Sequence, residues 1–260
     1  MNFSRITYEV SARRARICLN RPDKRNALDD VMVDELISAF VSAGEDASAK
    51  VILLSSKGSA FCAGADLEYL QRMARFSLEE NRKDSERLST LFQTIYELKK
   101  PVIAVVGGPA LAGGCGLASV CDFIVASKEK ATFGYTEVRI GFVPAVVMPF
   151  LVKRVGEGKA RELILRGIVL TATEALEAGL VNLVIPETLI EQRAEDLAEE
   201  LILQNSSDAM GLCKALLSKL SGMDTVSALR SGASINADAR MTEDCRKGIE
   251  AFLGKKKPLW

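Results

Sequence analysis

Apolar residues recur along this chain with two different periods, and the changes between them mark out its elements in order. Ile6-Thr7-Tyr8-Glu9-Val10 and Ala15-Arg16-Ile17-Cys18-Leu19 alternate apolar and polar positions around a polar turn, which predicts a β-hairpin. Asn20-Arg21-Pro22-Asp23-Lys24 ends it. From near Asp29 the spacing becomes helical, with Val33, Leu36, Ile37, Phe40 and Val41 on one face. Val51-Ile52-Leu53-Leu54 and Val102-Ile103-Ala104-Val105-Val106 are continuous apolar runs of the kind found in strands buried on both faces, and Asp122-Phe123-Ile124-Val125-Ala126 makes a third. A charged helical stretch from about Leu78 to Leu98 separates the first two and stops before Pro101. Further helical patterns cover about Lys153 to Arg166 and open again at Thr171-Ala172-Thr173-Glu174-Ala175-Leu176. Val181 to Ile185 reads as a short strand stopped by Pro186, and from about Thr188 the pattern is helical almost to the end. Strand, loop, helix and strand at this spacing predict an α/β unit with stacked parallel strands. The helical C-terminal section has apolar faces that need a partner, either the core or another subunit.

The 260 residues suit a single α/β unit with an appendage. With 34 Lys and Arg against 34 Asp and Glu, the net charge is zero and no global field favours nucleic acid or an anionic membrane. No apolar run is long enough to span a bilayer, and Met1-Asn2-Phe3-Ser4-Arg5 lacks the apolar core of a signal peptide, so a cytoplasmic location is expected. The six cysteines form no CxxC pair, and most sit in apolar or small-residue contexts that read as buried thiols. The chain contains no histidine. That removes Ser-His-Asp and Cys-His mechanisms and His-based zinc sites, leaving acid–base work to Asp, Glu, Lys, Tyr, Cys or a bound water.

Two segments concentrate small residues directly after strands: Ala60-Phe61-Cys62-Ala63-Gly64-Ala65-Asp66-Leu67 and Pro109-Ala110-Leu111-Ala112-Gly113-Gly114-Cys115-Gly116-Leu117. The second runs into a helical pattern, Leu117 to Cys121, so its N–H groups lie at the positive end of a helix dipole. Brought together, two such turns can hold one negatively charged oxygen between backbone donors, as an oxyanion hole does. Taken alone, Gly113-Gly114 reads as a tight strand-to-helix packing turn with no ligand. Position 116, beside these glycines, is Gly and not a carboxylate.

The full set of landmarks resembles the crotonase (enoyl-CoA hydratase/isomerase) superfamily over essentially the whole chain. They fall in family order: Leu19-Asn20-Arg21-Pro22, Asn26-Ala27-Leu28, Phe61 to Leu67, Gly113 to Ala118, Cys121-Asp122, Phe133-Gly134, Glu137-Val138-Arg139-Ile140-Gly141, Thr171 to Ala175, Gly179 to Asn182 and Phe252-Leu253. The resemblance implies an α/β spiral of ββα turns over residues 1–195 and a helical trimerisation region over 196–260. It also implies assembly as homotrimers or homohexamers, an acyl-CoA thioester substrate, and no metal or redox cofactor. It assigns the oxyanion donors to the backbone N–H groups of Ala65 and Gly113. For CoA it points to Arg25 as a phosphate contact and to Ala27 in the same wrapping segment. Ala63 and Asp66 would lie near the adenine, chiefly through backbone, and Lys255 would come from a tail that in family members reaches a neighbouring subunit's site. The plainer readings are a solvated basic turn for Arg21, Lys24 and Arg25, and a frayed basic terminus for Lys255.

Typical hydratases of the family carry two glutamates, at positions matching Gly116 and Glu137, so here one carboxylate survives. Glu137 is read as the catalytic base, its alternative being an ordinary carboxylate in a turn. Glu137 to Val147 resembles methylglutaconyl-CoA hydratases of leucine breakdown, which implies hydration of a branched or carboxylated enoyl-CoA, with Arg139 assisting a distal carboxylate or forming a structural salt bridge. Δ3–Δ2 isomerisation also needs only one base. A weakened acyl-CoA-binding scaffold, and a decarboxylase using Tyr135 or Tyr69, complete the readings. Asp122 is expected to be structural, Cys62 and Cys115 to be packing residues rather than nucleophiles, and Met73, Phe76 and Leu88 to be candidates for the acyl pocket.

Overall fold

Val51, Leu53, Ile103, Val105 and Val125 fall on one side of a central sheet and Ile52, Leu54, Val102, Ala104 and Ile124 on the other, as a period of two requires. The computed structural model describes residues 3–260; Met1 and Asn2, where the reading of the N-terminus begins, lie outside the described residues. The antiparallel hairpin β1 (Ile6–Ser11) and β2 (Arg14–Leu19) forms one edge of this sheet. Parallel strands β3 (Val51–Ser56), β4 (Val102–Val106), β6 (Phe123–Ser127) and β9 (Leu183–Ile185) continue it in the order β1-β2-β3-β4-β6-β9. A second sheet of very short strands, β5 (Ala110–Leu111), β7 (Thr132–Gly134) and β8 (Val169–Thr171), stands beside it.

Helices bury both faces of the main sheet. The larger apolar cluster joins one face to α1 (Asp30–Glu45), α3 (Leu78–Glu97), α4 (Gly113–Ser119), α5 (Met148–Arg166) and α6 (Ala172–Glu177). The other face is covered by α7 (Ile190–Gln204) through Ile190, Ala194, Leu197, Ala198 and Leu201. Local signals start these helices where the sequence suggests. Asp29 caps α1 by accepting from the Met32 N–H, and Ser77 with Glu80 closes a capping box on α3. Short α2 (Leu67–Met73) is capped by Asp66.

Two expectations are corrected. The helix after the second small-residue loop begins at Gly113, not Leu117, so the loop's N–H groups are the first turn of α4 itself. The helix expected from Lys153 begins at Met148, with a proline in its first turn, and is interrupted at Gly156, whose φ of 75° and ψ of 160° are not helical. The C-terminal section is helical as expected: α8 (Ser207–Leu220), α9 (Thr225–Met241) and α10 (Glu243–Leu253). Neither α9 nor α10 buries a residue, and Leu229, Ile249, Phe252 and Leu253 stay exposed. Among the described residues no helix is long and apolar enough to cross a membrane.

Adjacent glycines at the start of α4 face different surroundings. A Cβ on Gly114 would lie 2.2 Å from the Cys62 carbonyl oxygen, whereas one on Gly113 would meet only Leu28 Cδ1 at 3.4 Å. Gly114→Ala is therefore expected to destabilise by about 1–3 kcal/mol through overpacking against backbone, and Gly113→Ala by well under about 1 kcal/mol. Denaturant melts of the two variants measure the difference, and equal costs would contradict the packing described.

Candidate active site

The loop after β3 and the loop after β4 are tied to each other by backbone. The Cys62 N–H donates to the Pro109 carbonyl at 3.2 Å, and the Leu111 N–H donates to the Cys62 carbonyl at 2.9 Å. A second bridge ties the first loop to the segment before α1. Here the Leu28 N–H donates to the Gly64 carbonyl at 2.7 Å and the Asp66 N–H donates to the Leu28 carbonyl at 2.9 Å. Gly64, at φ +92°, sits where a Cβ would fall 2.9 Å from that of Ala112, and Ala112 itself has φ +49° and ψ −126°. This strained turn is held by the Ala112 N–H donating to the Gly134 carbonyl at 2.7 Å. Ala65 and Gly113 lie within this arrangement. Among the described residues neither N–H has an acceptor, and both residues line one cavity of about 390 Å³.

Buried charges fix the first loop. Arg21 Nη1 lies 2.9 Å from Asp66 Oδ2 and 3.1 Å from Asp29 Oδ2, with all three side chains largely buried. The same nitrogen donates to the Ala27 carbonyl. Burial raises the Asp66 carboxyl, but the Tyr69 N–H, the Arg21 charge and the Glu68 N–H outweigh it and hold the group below its ordinary range. Fully buried Asn26 accepts from the Arg21 N–H and donates to the carbonyls of Lys57 at 2.8 Å and Ala60 at 2.9 Å. The basic turn is thus solvated only at Arg25 and at Lys24, which pairs with Glu68. Arg21 belongs to the interior, a role that spacing alone did not reveal.

Glu137 opens the one-turn helix Glu137–Ile140 after β7 and lines the same cavity. It is 8% exposed, and among the described residues its Oε2 has no hydrogen-bond partner. Burial pushes its carboxyl above the ordinary carboxylate range. Two residues earlier, the fully buried Tyr135 hydroxyl meets Ser119 Oγ at 2.8 Å, and Ser119 Oγ donates to the Gly116 carbonyl at 3.1 Å. These bonds clamp the segment carrying Glu137 to the helix that begins at Gly113. Gly116 does not leave a vacancy: a Cβ there would lie 2.2 Å from Val147 Cγ1 and 3.4 Å from Phe92 Cζ. Val147 forms part of the cavity wall. The site therefore offers two free backbone donors, one carboxyl with a raised pKa, and apolar side chains where a residue at 116 would project. Such a set can hold an anionic oxygen and move a proton.

Of the residues singled out from sequence, Glu137, Ala65, Gly113 and Ala63 line this cavity. Arg25, Ala27, Asp66 and Lys255 do not; Ala27 is buried, the Asp66 side chain is committed to α2 and Arg21, and Arg25 and Lys255 are exposed. Met73 and Leu88 line it, whereas Phe76 packs edge-on against Tyr69. Tyr69 lines it with its hydroxyl donating to Asp84, but Tyr135 does not. Arg139 neither lines the cavity nor forms an ion pair among the described residues; it lies along Gly167. Asp122 is structural, accepting from the Val102 N–H and pairing with Lys214 at 2.5 Å. Burial pushes the thiols of Cys62 and Cys115 up to about 12, which removes them as thiolate nucleophiles.

Comparison with known proteins agrees in sequence and in fold. The family model described as enoyl-CoA hydratase/isomerase matches residues 9–260. A Thermus thermophilus protein carrying an enoyl-CoA hydratase description is 42% identical over 242 residues, 93% of this chain and 95% of its own. The 2,3-dehydroadipyl-CoA hydratase of Escherichia coli is 34% identical over 243 residues, 93% of this chain and 92% of its own. The crystal structure of a Mycobacterium smegmatis enoyl-CoA hydratase superposes with a TM-score of 0.92 at 31% identity, covering 99% of both chains. The fold is crotonase-like α/β.

Two measurements test the wall around Glu137. Gly116→Ala is expected to destabilise by about 1–3 kcal/mol alone and by less in a Val147→Ala background, giving a coupling of at least about 0.5 kcal/mol in a double-mutant cycle. Additivity would mean that Val147 does not fill the space beside residue 116. Glu137→Gln tests the burial of the carboxyl. Because the native pKa is raised, the folded state binds more protons than the unfolded chain between the ordinary carboxylate value and the raised one, and stability falls as pH rises through that window. The variant should therefore melt higher than the parent at about pH 8 and show no such gain below about pH 3, where the carboxyl is protonated in both the folded and the unfolded state. A gain of equal size at both pH values would contradict this origin.

Proposed function

The chain belongs to the enoyl-CoA hydratase/isomerase family, and we propose that it adds water to, or removes it from, an enoyl-CoA thioester with Glu137 as its single acid–base residue. It is an enzyme of that class, acting on acyl-CoA. The observation that carries the single-glutamate reading is the pairing of a buried, unpartnered Glu137 with an apolar Val147 where residue 116 would reach. In this reading the thioester carbonyl oxygen accepts from the Ala65 and Gly113 N–H groups. Glu137 takes a proton from water as the water oxygen bonds to C3. The displaced π electrons pass through C2 into the carbonyl, and the enolate oxygen rests between the two donors. Glu137 then returns the proton to C2. Each donor contributes on the order of 3 kcal/mol to the transition state. No metal or redox cofactor enters these steps.

The likeness of Glu137–Val147 to methylglutaconyl-CoA hydratases makes 3-methylglutaconyl-CoA the proposed substrate and leucine breakdown the proposed setting. Arg25, Ala27, Ala63 and Asp66 would follow the CoA, and Lys255 would reach a neighbouring subunit. Residues 196–260 would form the trimerisation region of a homotrimer or homohexamer, consistent with the apolar residues left exposed on α9 and α10. The proposed location is the cytoplasm. Δ3–Δ2 isomerisation is the second reading, favoured by the same apolar wall, since one base can move a proton from C2 to C4 without a bound water.

Steady-state turnover of 3-methylglutaconyl-CoA, crotonyl-CoA and a 3-enoyl-CoA tests these readings. Glu137→Gln should lower kcat by about 10²–10⁴-fold with KM little changed. An active Glu137→Gln would remove Glu137 as the base. Turnover confined to the 3-enoyl-CoA would select the isomerase, and binding without turnover of any of the three would select the scaffold reading.

A further inference from the structure

The cavity wall formed by α1, α2 and α3 carries Asp29, Asp30, Tyr69, Asp84, Ser85 and Arg87. Its carboxylates are each engaged. Asp29 pairs with Arg5 at 3.3 Å and Arg21 at 3.1 Å, Asp30 pairs with Arg72 at 3.2 Å, and Asp84 accepts from the Tyr69 hydroxyl. Arg87 is different. Among the described residues it is the one basic side chain lining the cavity, and it makes no hydrogen bond. Its one ion pair runs from Nη1 to Asp34 Oδ2 at 3.5 Å, and Asp34 is 60% exposed and outside the cavity. An exposed pair of that length is worth about 0–1 kcal/mol, so a better acceptor displaces it readily. The remaining face of the guanidinium is a fork suited to a carboxylate.

We infer that Arg87 is a specificity-determining residue that pairs with a carboxylate at the distal end of the acyl group, so that the substrate is the CoA monothioester of a dicarboxylic acid. The inference rests on the acyl-CoA reading above and moves the distal contact from Arg139, which faces Gly167, to α3. The neighbouring aspartates do not oppose it in isolation. Asp29 and Asp30 are matched by arginines, while Asp84 accepts from the Tyr69 hydroxyl, which itself lies within the field of Arg87. Arg87 loses only Asp34 on binding. An acyl chain ending in a methyl group would gain nothing from Arg87 and would leave that wall's polar groups without a substrate partner.

Binding of two saturated thioesters tests this without turnover. Glutaryl-CoA and pentanoyl-CoA have acyl groups of equal carbon number and differ in the terminal carboxylate. By calorimetry the parent should bind glutaryl-CoA at least about 10-fold more tightly, and Arg87→Met should weaken glutaryl-CoA by about 10–100-fold while leaving pentanoyl-CoA within about 2-fold. Arg87→Lys should keep part of the preference. Equal affinity of the parent for both thioesters, or equal weakening of both by Arg87→Met, overturns the inference. Failure of both to bind the parent would instead overturn the acyl-CoA site on which it rests. A retained glutaryl preference beside a fully active Glu137→Gln would remove the proposed base and leave Arg87 in place.

Discussion

The contact between Gly114 and the Cys62 carbonyl lets two loops from separate strands approach as backbone on backbone. At any other distance the ladder Pro109–Cys62–Leu111 would not close, and Ala65 and Gly113 would not face one cavity. Ala65 is exposed and Gly113 half-buried, so their two unpaired N–H groups face the cavity with solvent access rather than lying buried without a partner. The surrounding structure holds the two loops in place with bonds that do not involve those donors: the Leu28–Ala65 bridge, the Asn26 amide on Lys57 and Ala60, and the Arg21 charge between Asp29 and Asp66. The strained Ala112 belongs to the same account. Its conformation is paid for by bonds at both of its polar atoms, the N–H to Gly134 and the carbonyl from Gly116.

A second constraint follows from α4. Gly116 is buried against Val147 and Phe92, so the missing side chain at 116 and the apolar wall are one feature seen from two elements. A carboxylate at 116 would require Val147 to move, and its charge would enter a wall built from Val147 and Phe92 at high desolvation cost. The same low polarity leaves Glu137 without a neighbouring charge of opposite sign, and burial dominates its titration. A carboxyl with a raised pKa is a better proton donor near neutrality than an ordinary glutamate. That is what a lone residue needs if it must both take and return a proton. The Tyr135–Ser119–Gly116 bonds hold this carboxyl's segment to α4 without placing a further polar atom in the cavity.

Much of this was legible in the sequence, for reasons specific to particular segments. Val51–Leu54 and Val102–Val106 announced buried strands because burial on both faces demands unbroken apolar runs. The small-residue loops announced close backbone approach. The start of α4 was missed because Gly113 and Gly114 have poor helix propensity, and the Cys62 carbonyl, fifty residues away, overrides it. The second sheet was missed because two- and three-residue strands carry no period. The interior role of Arg21, the place of Arg139 and the wall formed by Val147 were not legible, because a side chain's partner lies in another element and spacing along one element does not reveal it.

Helix α3 joins the two determinants proposed for the acyl side. Its capping box fixes the N-terminal end, Leu91, Phe92 and Ile95 anchor it in the core, and Arg87 lies one turn before that anchor on the cavity wall. Phe92 is also the residue that meets the space beside Gly116. Five residues of helix rise about 7.5 Å, so the backbone positions of Phe92, beside the apolar wall, and of Arg87 are separated along the axis by about the length of a short acyl chain. Only Leu91, Phe92 and Ile95 of this helix are buried, so its anchor lies just after Arg87. Arg87 sits little more than one turn before Phe92, so in the proposed reading a shift of Phe92 that admitted a second carboxylate would be transmitted along the helix to Arg87 and would tie the number of acid–base groups to the acyl group accepted.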